Sequence, residues 1–282
     1  MARKRNRRGI WPVHLPRIRA QQVQALLEIY DPDARHDPMI TALRGGDLWW
    51  VSAPMAALAY AAAGDLPEDQ QIEMTRPTLG GVLIWEGGTG LSLTFDDAPR
   101  EHWTGAAFGA PRPPAVDIIG ALWTTGPGGP LLFGLTDDPR FTTTSREDLV
   151  AVYPLDTERP RLEALLISTW LLADQPTIGT RRRWDPRTPG MHARRIPHDS
   201  EVQIIKLRES LTHPDPWPAE ATDTPEERRW QLTHRILVSG HWRQQPCGPG
   251  REDHRPIFVP PHIKGPAGSP LVLKPKVKVW SR

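Results

Sequence analysis

Proline recurs along almost the whole chain, and its spacing limits the folds that the chain can adopt. There are 32 prolines among the 282 residues. Because proline lacks a backbone N–H and its ring fixes φ, it ends helices and is kept out of central strands. A helical bundle is therefore disfavoured, whereas the hydrophobic content of 38% suffices for a packed core. The sequence predicts a loop-rich α+β fold, in which a mainly antiparallel sheet packs against two or three helices.

The segments between the prolines contain both helical and strand periodicity. Helices are predicted at residues 18–30, 38–43, 48–63 and 159–174. The last of these has apolar side chains around most of its circumference, including Trp170, which indicates a helix at the centre of the core. Strands are predicted at residues 82–85, 91–95, 116–125, 131–135 and 201–208, with the first two joined as a hairpin.

A further hairpin is predicted near the C-terminus, where two strands, His234–Gln244 and Ile257–Val259, flank a Gly/Pro turn. Cations alternate here with an aromatic residue, as they do again in a basic loop predicted at 177–199. Such surfaces suit a partner with phosphates and π-faces, or an acidic peptide. The alternative is a buried tryptophan among ordinary solvated arginines. The predicted binding residues are His241, Trp242, Arg243, Gln244, Arg251, His254 and Arg255 in the hairpin, and Arg181, Arg182, Arg183 and Trp184 in the loop.

The net charge is only +2, but basic residues concentrate in residues 1–19, 175–195 and 234–282. This asymmetry favours a polyanionic partner, although basic segments could also pair with the more acidic remainder. Residues 1–17 are predicted to form a basic flexible arm that Trp11 and Leu15 anchor. Residues 18–282 are predicted to form a single α+β domain, with 234–282 as its hairpin subregion.

Motifs for catalysis and for metal binding are absent from the sequence. The single cysteine, Cys247, excludes an internal disulfide and a multi-cysteine zinc site. Two arrangements stay open: a pair of Cys247 with His241 or His254, and a His-dependent nuclease. The latter would use His234, His241, His254 and His262, with Glu252 or Asp253 as partner. Their spacing matches no metal motif, so we expect a binding protein that needs no cofactor and no metal.

Two features bear on the compartment. No apolar run approaches the ~20 residues needed to span a membrane, and no signal-type segment follows the basic N-terminus. A single cysteine suits a reducing environment. We therefore expect a cytoplasmic protein.

Several short motifs occur in the same order as in one known family, the second-numbered type V-A anti-CRISPRs, and the chain resembles that family remotely over roughly residues 40–265. The most specific motif is Gly240-His241-Trp242 followed by a glycine-rich turn. The full set comprises Leu43-Arg44-Gly45-Gly46, Asp65-Leu66-Pro67, the strand Val82 to Trp85, the helix Glu163 to Asp174 with Gln175-Pro176, Gly240-His241-Trp242, Gly248-Pro249-Gly250 and the strand Arg255 to Val259.

The resemblance implies an interaction protein of a phage, plasmid or other mobile genetic element. Such a protein recognises the N-terminal segment of a nascent type V effector polypeptide and lowers effector expression by promoting destruction of its message. The implied partner is a nascent or short peptide, with the ribosome or RNA as a further contact. Two other functions stay open on the residues alone: a nucleic-acid-binding accessory protein of a mobile element, and the His-dependent nuclease.

Overall fold

Several prolines lie at helix starts, where their missing N–H costs no hydrogen bond. Pro38, Pro54 and Pro160 each occupy the first turn of a helix. The computed structural model describes residues 10–30, 37–93, 116–138, 149–152, 158–184, 202–208, 235–264 and 270–272. The helices are α1 (Leu15–Tyr30), α2 (Pro38–Arg44), α3 (Ala53–Ala63), α4 (Ile72–Thr75) and α5 (Arg159–Ala173).

The chain divides into two compact units, Met1–Arg208 and Glu209–Arg282. The strands of the first unit are β1 (Asp47–Val51), β2 (Gly81–Trp85), β3 (Ser92–Leu93), β4 (Val116–Asp117), β5 (Gly120–Gly126), β6 (Gly129–Thr136), β7 (Val150–Val152), β8 (Gly179–Arg183) and β9 (Val202–Leu207). Those of the second are β10 (Arg235–Val238), β11 (His241–Cys247), β12 (Asp253–Val259), β13 (His262–Lys264) and β14 (Leu271–Val272). The single domain expected for residues 18–282 stays a prediction.

Within the described residues of the first unit, seven strands form one sheet in the order β7-β6-β5-β2-β1-β9-β8. The central junctions β2–β1 and β1–β9 are parallel, and the other four are antiparallel. The sheet is therefore mainly antiparallel. Together with the helices that pack on it, it confirms the predicted α+β fold.

Helices cover both faces of this sheet, so its central strands are buried on both sides. Trp50, Val82 and Ile204 share one core cluster with the buried side chains of α1 and α2. On the other face, the Trp85 indole donates to the Thr169 hydroxyl of α5 at 3.2 Å. Successive residues of β1 therefore point to different helical layers, as the alternation of a strand requires.

The burial of β1 on both faces explains one wrong prediction, a helix over residues 48–63. A continuous apolar run is typical of a buried parallel strand, but over a few residues it cannot be told from a buried helix. Leu48–Val51 belong instead to strand β1, and the helix begins only at Ala53. The hairpin predicted between 82–85 and 91–95 is also wrong. Strand β2 pairs with β1 and β5, while β3 pairs with β4.

The helix predicted at 159–174 is confirmed as α5, and it is buried along most of its length. The Trp170 side chain of this helix is 1% exposed and meets the Trp123 ring edge-on, with ring centroids 5.1 Å apart. The central position that its apolar circumference indicated is therefore observed.

The N-terminal arm was predicted too long. Helix α1 already begins at Leu15, whose side chain is fully buried, and the Ile10 carbonyl accepts a hydrogen bond from the Trp50 indole at 3.1 Å. Residues 10–17 thus belong to the folded unit, although Trp11 itself is 47% exposed. Residues 1–9, which carry most of the arm's charge, lie outside the described residues.

Helix α1 also contacts the turn that follows α2. The Arg19 guanidinium donates to the Gly46 carbonyl at 2.8 Å, and its partial burial lowers the pKa of that guanidinium from the ordinary value.

None of the helices in the described ranges is long and apolar enough to cross a membrane.

Candidate functional site

The predicted C-terminal hairpin is present as β11 and β12, which pair antiparallel from His241 opposite Val259 to Cys247 opposite Asp253. We call these two strands and their turn the ribbon. The continuous strand predicted at 234–244 is divided instead, because Ser239 and Gly240 separate β10 from β11. Strand β10 pairs with β13 and β14 in a second small sheet.

One face of the ribbon is held by aromatic packing, and we call it the aromatic face. Directly opposite residues of an antiparallel pair share a face, so Trp242 and Phe258 lie together here. Their rings meet edge-on with centroids 5.3 Å apart, and Phe258 is only 3% exposed. A Cβ atom at Gly240 would lie 2.6 Å from the Phe258 ring. The Gly240-His241-Trp242 motif is therefore explained in large part by packing.

The other face, the cationic face, carries His241, Arg243, Gln245 and Arg255. The Arg243 guanidinium donates to the Gln245 side-chain oxygen at 2.6 Å, and Gln245 is directly opposite Arg255. Arg243 and Arg255 are diagonal neighbours, which in antiparallel pairs lie about 7–8 Å apart. The side chains of both arginines are exposed, so two guanidinium groups and an amide face the solvent together.

Among the residues of β11 and β12 that belong to this face, Asp253 is the single acidic one. It lies at the turn end of the ribbon. Its carboxylate lies against the position that a Gly248 Cβ would occupy. Among the described residues, Arg255 has neither an ion pair nor a side-chain hydrogen bond. The charge of Arg255 is therefore not neutralised by a close carboxylate in the part of the chain that the structure describes.

The turn of the ribbon presents Arg251 in an uncommon conformation. Its φ is 61°, and Gly248 and Gly250 in the same turn have φ of 76° and 66°. Glycine adopts this left-handed region freely, whereas a residue with a Cβ atom is strained there. Arg251 is exposed, so its guanidinium stands at the tip of the ribbon.

The structure divides the predicted binding residues of the hairpin between two faces. His241, Arg243 and Arg255 share the cationic face, whereas Trp242 and, by register, Gln244 and His254 belong to the aromatic face. A base stacked on Trp242 would thus be on the opposite side from phosphates held by the two arginines. Gln245 was missed, because only the register reveals that it lies between them.

The second predicted group, Arg181 to Trp184, is not a loop but the edge strand β8 and the residue after it. The Arg181 guanidinium stacks over the Trp49 ring at 4.5 Å, lies 3.4 Å from the Asp174 carboxylate and donates to Gln203. Trp184 packs in the core beside α1 and is 7% exposed. Arg182 and Arg183 are exposed. Residues 185–200 lie outside the described residues.

The side chains considered for catalysis are not brought together. His241 and His254 lie on opposite faces of the ribbon. Cys247 shares a face with His241 but is six residues away, about 20 Å along a strand. His241 and His262 each contact a carbonyl two residues earlier in the chain at 3.1 Å, and His234 lies outside the described residues. In the described part of the chain, no group of three or more His, Cys, Asp or Glu could hold a metal ion.

No protein-family model matches the sequence, and no curated protein matches it. Among solved structures, the chain is remotely similar to a type V-A anti-CRISPR, the same kind of protein that the sequence resembles. The match is to the structure titled "Crystal structure of AcrVA2", with 14% identity and a TM-score of 0.35 over 86% of this chain and 82% of that chain. At this TM-score the likeness is remote.

Proposed function

We propose that this chain is an interaction protein of a mobile genetic element that binds a nascent type V effector polypeptide and lowers effector expression. The motifs shared with the anti-CRISPR family suggest the target. The observation that carries a binding role is the cationic face of the ribbon. Arg243 and Arg255 stand there as exposed diagonal neighbours with Gln245 between them, an arrangement suited to a partner that carries several negative charges.

A nascent chain emerges from a particle rich in RNA, so a protein that recognises it meets phosphates as well as peptide. In this proposal the cationic face contacts RNA phosphates beside the nascent chain. Phosphate contacts orient a protein without reading sequence. The choice of target then depends on a separate contact with the peptide.

The test is co-expression of the protein with a type V effector in bacterial cells, with effector protein followed by immunoblot and its message by quantitative PCR. We expect both to fall several-fold. The double variant Arg243→Gln/Arg255→Gln should abolish the fall, whereas Lys264→Gln, a matched exposed cation on β13, should not. Unchanged effector levels with the wild-type protein would contradict the anti-CRISPR-like role.

Two recoded effector genes separate peptide recognition from RNA recognition. Synonymous recoding of the first codons changes the message and keeps the peptide, so the fall in expression should persist. Replacement of the N-terminal peptide should abolish it. The opposite pattern would show that the message, and not the nascent chain, is recognised.

The second candidate, a nucleic-acid-binding accessory protein, is favoured by the shape of the same element, because a two-stranded ribbon can enter the major groove of B-DNA. This candidate is distinguished from the anti-CRISPR-like protein by its affinity for DNA and RNA in the absence of any peptide. For single-stranded nucleic acid, loss of two phosphate contacts should reduce the slope of log affinity against log salt by about 1.4. Strong binding of this kind without any effect on effector expression would favour the accessory protein.

A further inference from the structure

The C-terminal hairpin keeps one register on both sides of the break between its two ladders. Val238 lies opposite His262 where β10 pairs with β13, and His241 lies opposite Val259 where β11 pairs with β12. Two residues are skipped on each strand, so neither strand carries an extra residue and the alternation of faces continues. The break has a simple cause, because the two residues skipped between β12 and β13 are prolines, which have no N–H to donate.

The cationic face of the ribbon is aliphatic along one of its strands. Ile257 and Val259 project from β12 on that face, opposite Arg243 and His241, and both are half-buried. A row of apolar side chains therefore runs beside a row of cations, at the spacing of neighbouring strands, about 5 Å.

The aliphatic row continues beyond the break with two large side chains in solvent. Leu237 and Ile263 lie directly opposite each other, and by the shared register they are on the face of Ile257 and Val259. They are 53% and 52% exposed. Single exposed apolar residues are common on proteins, but a contiguous group rimmed by polar side chains is typical of an interaction site. We call Leu237, Ile257, Val259 and Ile263 the aliphatic stripe.

The aliphatic stripe has the dimensions of a short amphipathic helix. From Ile257 to Ile263 the extended chain covers about 20 Å, which is the length of a helix of about 14 residues. A helix is about 10 Å wide, so one that lies on the stripe also reaches the neighbouring strand with His241 and Arg243. Arg243 has no ion pair in the described part of the chain, and a carboxylate on the flank of the helix would complement it.

We infer that the aliphatic stripe is the peptide-binding surface, and that its ligand is an amphipathic helix with apolar side chains on one face and carboxylates along one flank. This inference rests on the proposed function, because it supplies the contact that recognises the nascent chain. Apolar anchors provide affinity when a helix docks in this way, and Arg243 selects the acidic flank. RNA phosphates then lie toward the turn, at Arg251 and Arg255. The opposing explanation is that the stripe pairs with a second copy of the chain.

The first experiment measures peptide binding to the full chain by fluorescence anisotropy. The probe is a labelled helical peptide of about 14 residues, matched to the stripe, in which Leu recurs every three or four residues and Glu occupies one flank. A peptide of the same composition, with its leucines distributed around the helix, should bind about tenfold more weakly because it cannot present several anchors together. High salt should weaken binding only moderately, since salt screens the flanking charges and not the apolar contact.

Variants of the stripe and of its charged neighbour separate the two contacts. Leu237→Thr/Ile263→Thr removes the exposed half of the stripe and keeps residues that suit a strand, so affinity should fall about tenfold while far-UV circular dichroism stays unchanged. Leu79→Thr, which is matched in exposure at 59%, should leave affinity unchanged. Arg243→Gln should weaken binding about two- to fivefold, the range of an exposed ion pair. Lys264→Gln, on the opposite face, should not weaken it.

Sedimentation velocity tests the opposing explanation. A wild-type dimer that Leu237→Thr/Ile263→Thr dissociates would make the stripe an interface between copies and overturn the inference. Equal affinity for the two leucine peptides, or no binding at all, would also overturn it.

The outcome is independent of the expression assay. Binding of the amphipathic peptide without lowered effector levels would defeat the proposed target and leave the stripe as a peptide site. Lowered effector levels without peptide binding at the stripe would retain the proposed function and overturn the inference.

Discussion

Trp170 contributes to the fold by packing alone. Its ring lies edge-on to Trp123, and its indole nitrogen is buried with no hydrogen-bond partner among the described residues. A side chain of this kind stabilises the protein by filling space, because a buried N–H with no partner adds nothing favourable.

We therefore expect Trp170→Ala to lower the free energy of unfolding by about 3–5 kcal/mol, through the lost burial and the cavity left behind. Trp170→Phe should cost distinctly less, since it removes the unpartnered N–H and keeps most of the apolar ring. Urea unfolding followed by circular dichroism measures both, with the exposed Trp11→Ala as control. Near-wild-type stability of Trp170→Ala would show that α5 is not central to the core.

At the scale of single residues, the sequence could select Arg243 and Arg255 as candidates for binding but could not assign them a common face. Alternation along β11 separates Trp242 from Arg243. The face on which Arg255 lies, however, depends on how many residues the turn contains. A shift of one residue in register moves every side chain of the second strand to the other face. Gln245 was missed for the same reason. Trp184 was misjudged because an indole that follows three arginines gives no sign that it enters the core.

At the scale of elements, a close backbone contact fixes how α2 leads into β1. A Cβ atom at Gly46 would collide with the carbonyl oxygen of Gly80, the residue just before β2. The same oxygen accepts a hydrogen bond from the Asp47 N–H at 3.1 Å. The Leu43-Arg44-Gly45-Gly46 motif, part of the resemblance to the anti-CRISPR family, thus has a structural reason in this chain.

Gly46→Ala should lower the free energy of unfolding by about 1–3 kcal/mol, because backbone atoms must shift to admit the methyl group. Gly128→Ala is the matched control, since a Cβ at Gly128 meets nothing within 4 Å. Thermal unfolding of the two variants checks the difference. Equal stabilities would mean that the turn after α2 relaxes without cost.

The elements that the sequence predicted well are those with a full helical period or a clear turn. Helix α5 and strand β6 belong to this group, because a proline or a glycine marks the start of each. Strand β1 was missed because its buried run of four residues carries no periodicity. The pairing of strands was harder still to predict, since the parallel junctions of β1 with β2 and β9 join segments far apart in the sequence.

At the scale of the whole molecule, the seven-stranded sheet and the helical layers on both of its faces lie within Met1–Arg208. A unit that contains its own core can fold without the rest of the chain. We expect the polypeptide 1–208 to be folded, with a cooperative thermal transition and the far-UV spectrum of an α+β protein. A fragment that lacks a cooperative transition would instead support the single domain expected from the sequence for residues 18–282.

The two sides of the ribbon differ in what they contact. Gly240, Trp242 and Phe258 hold it together on one side, while His241, Arg243 and Arg255 face outward on the other. Substitutions on the outward side can therefore change the charge of the ribbon without disturbing its packing. Among descendants of this chain, the first three residues should stay constant and the last three should vary, so sequence divergence should concentrate at odd-numbered ribbon positions.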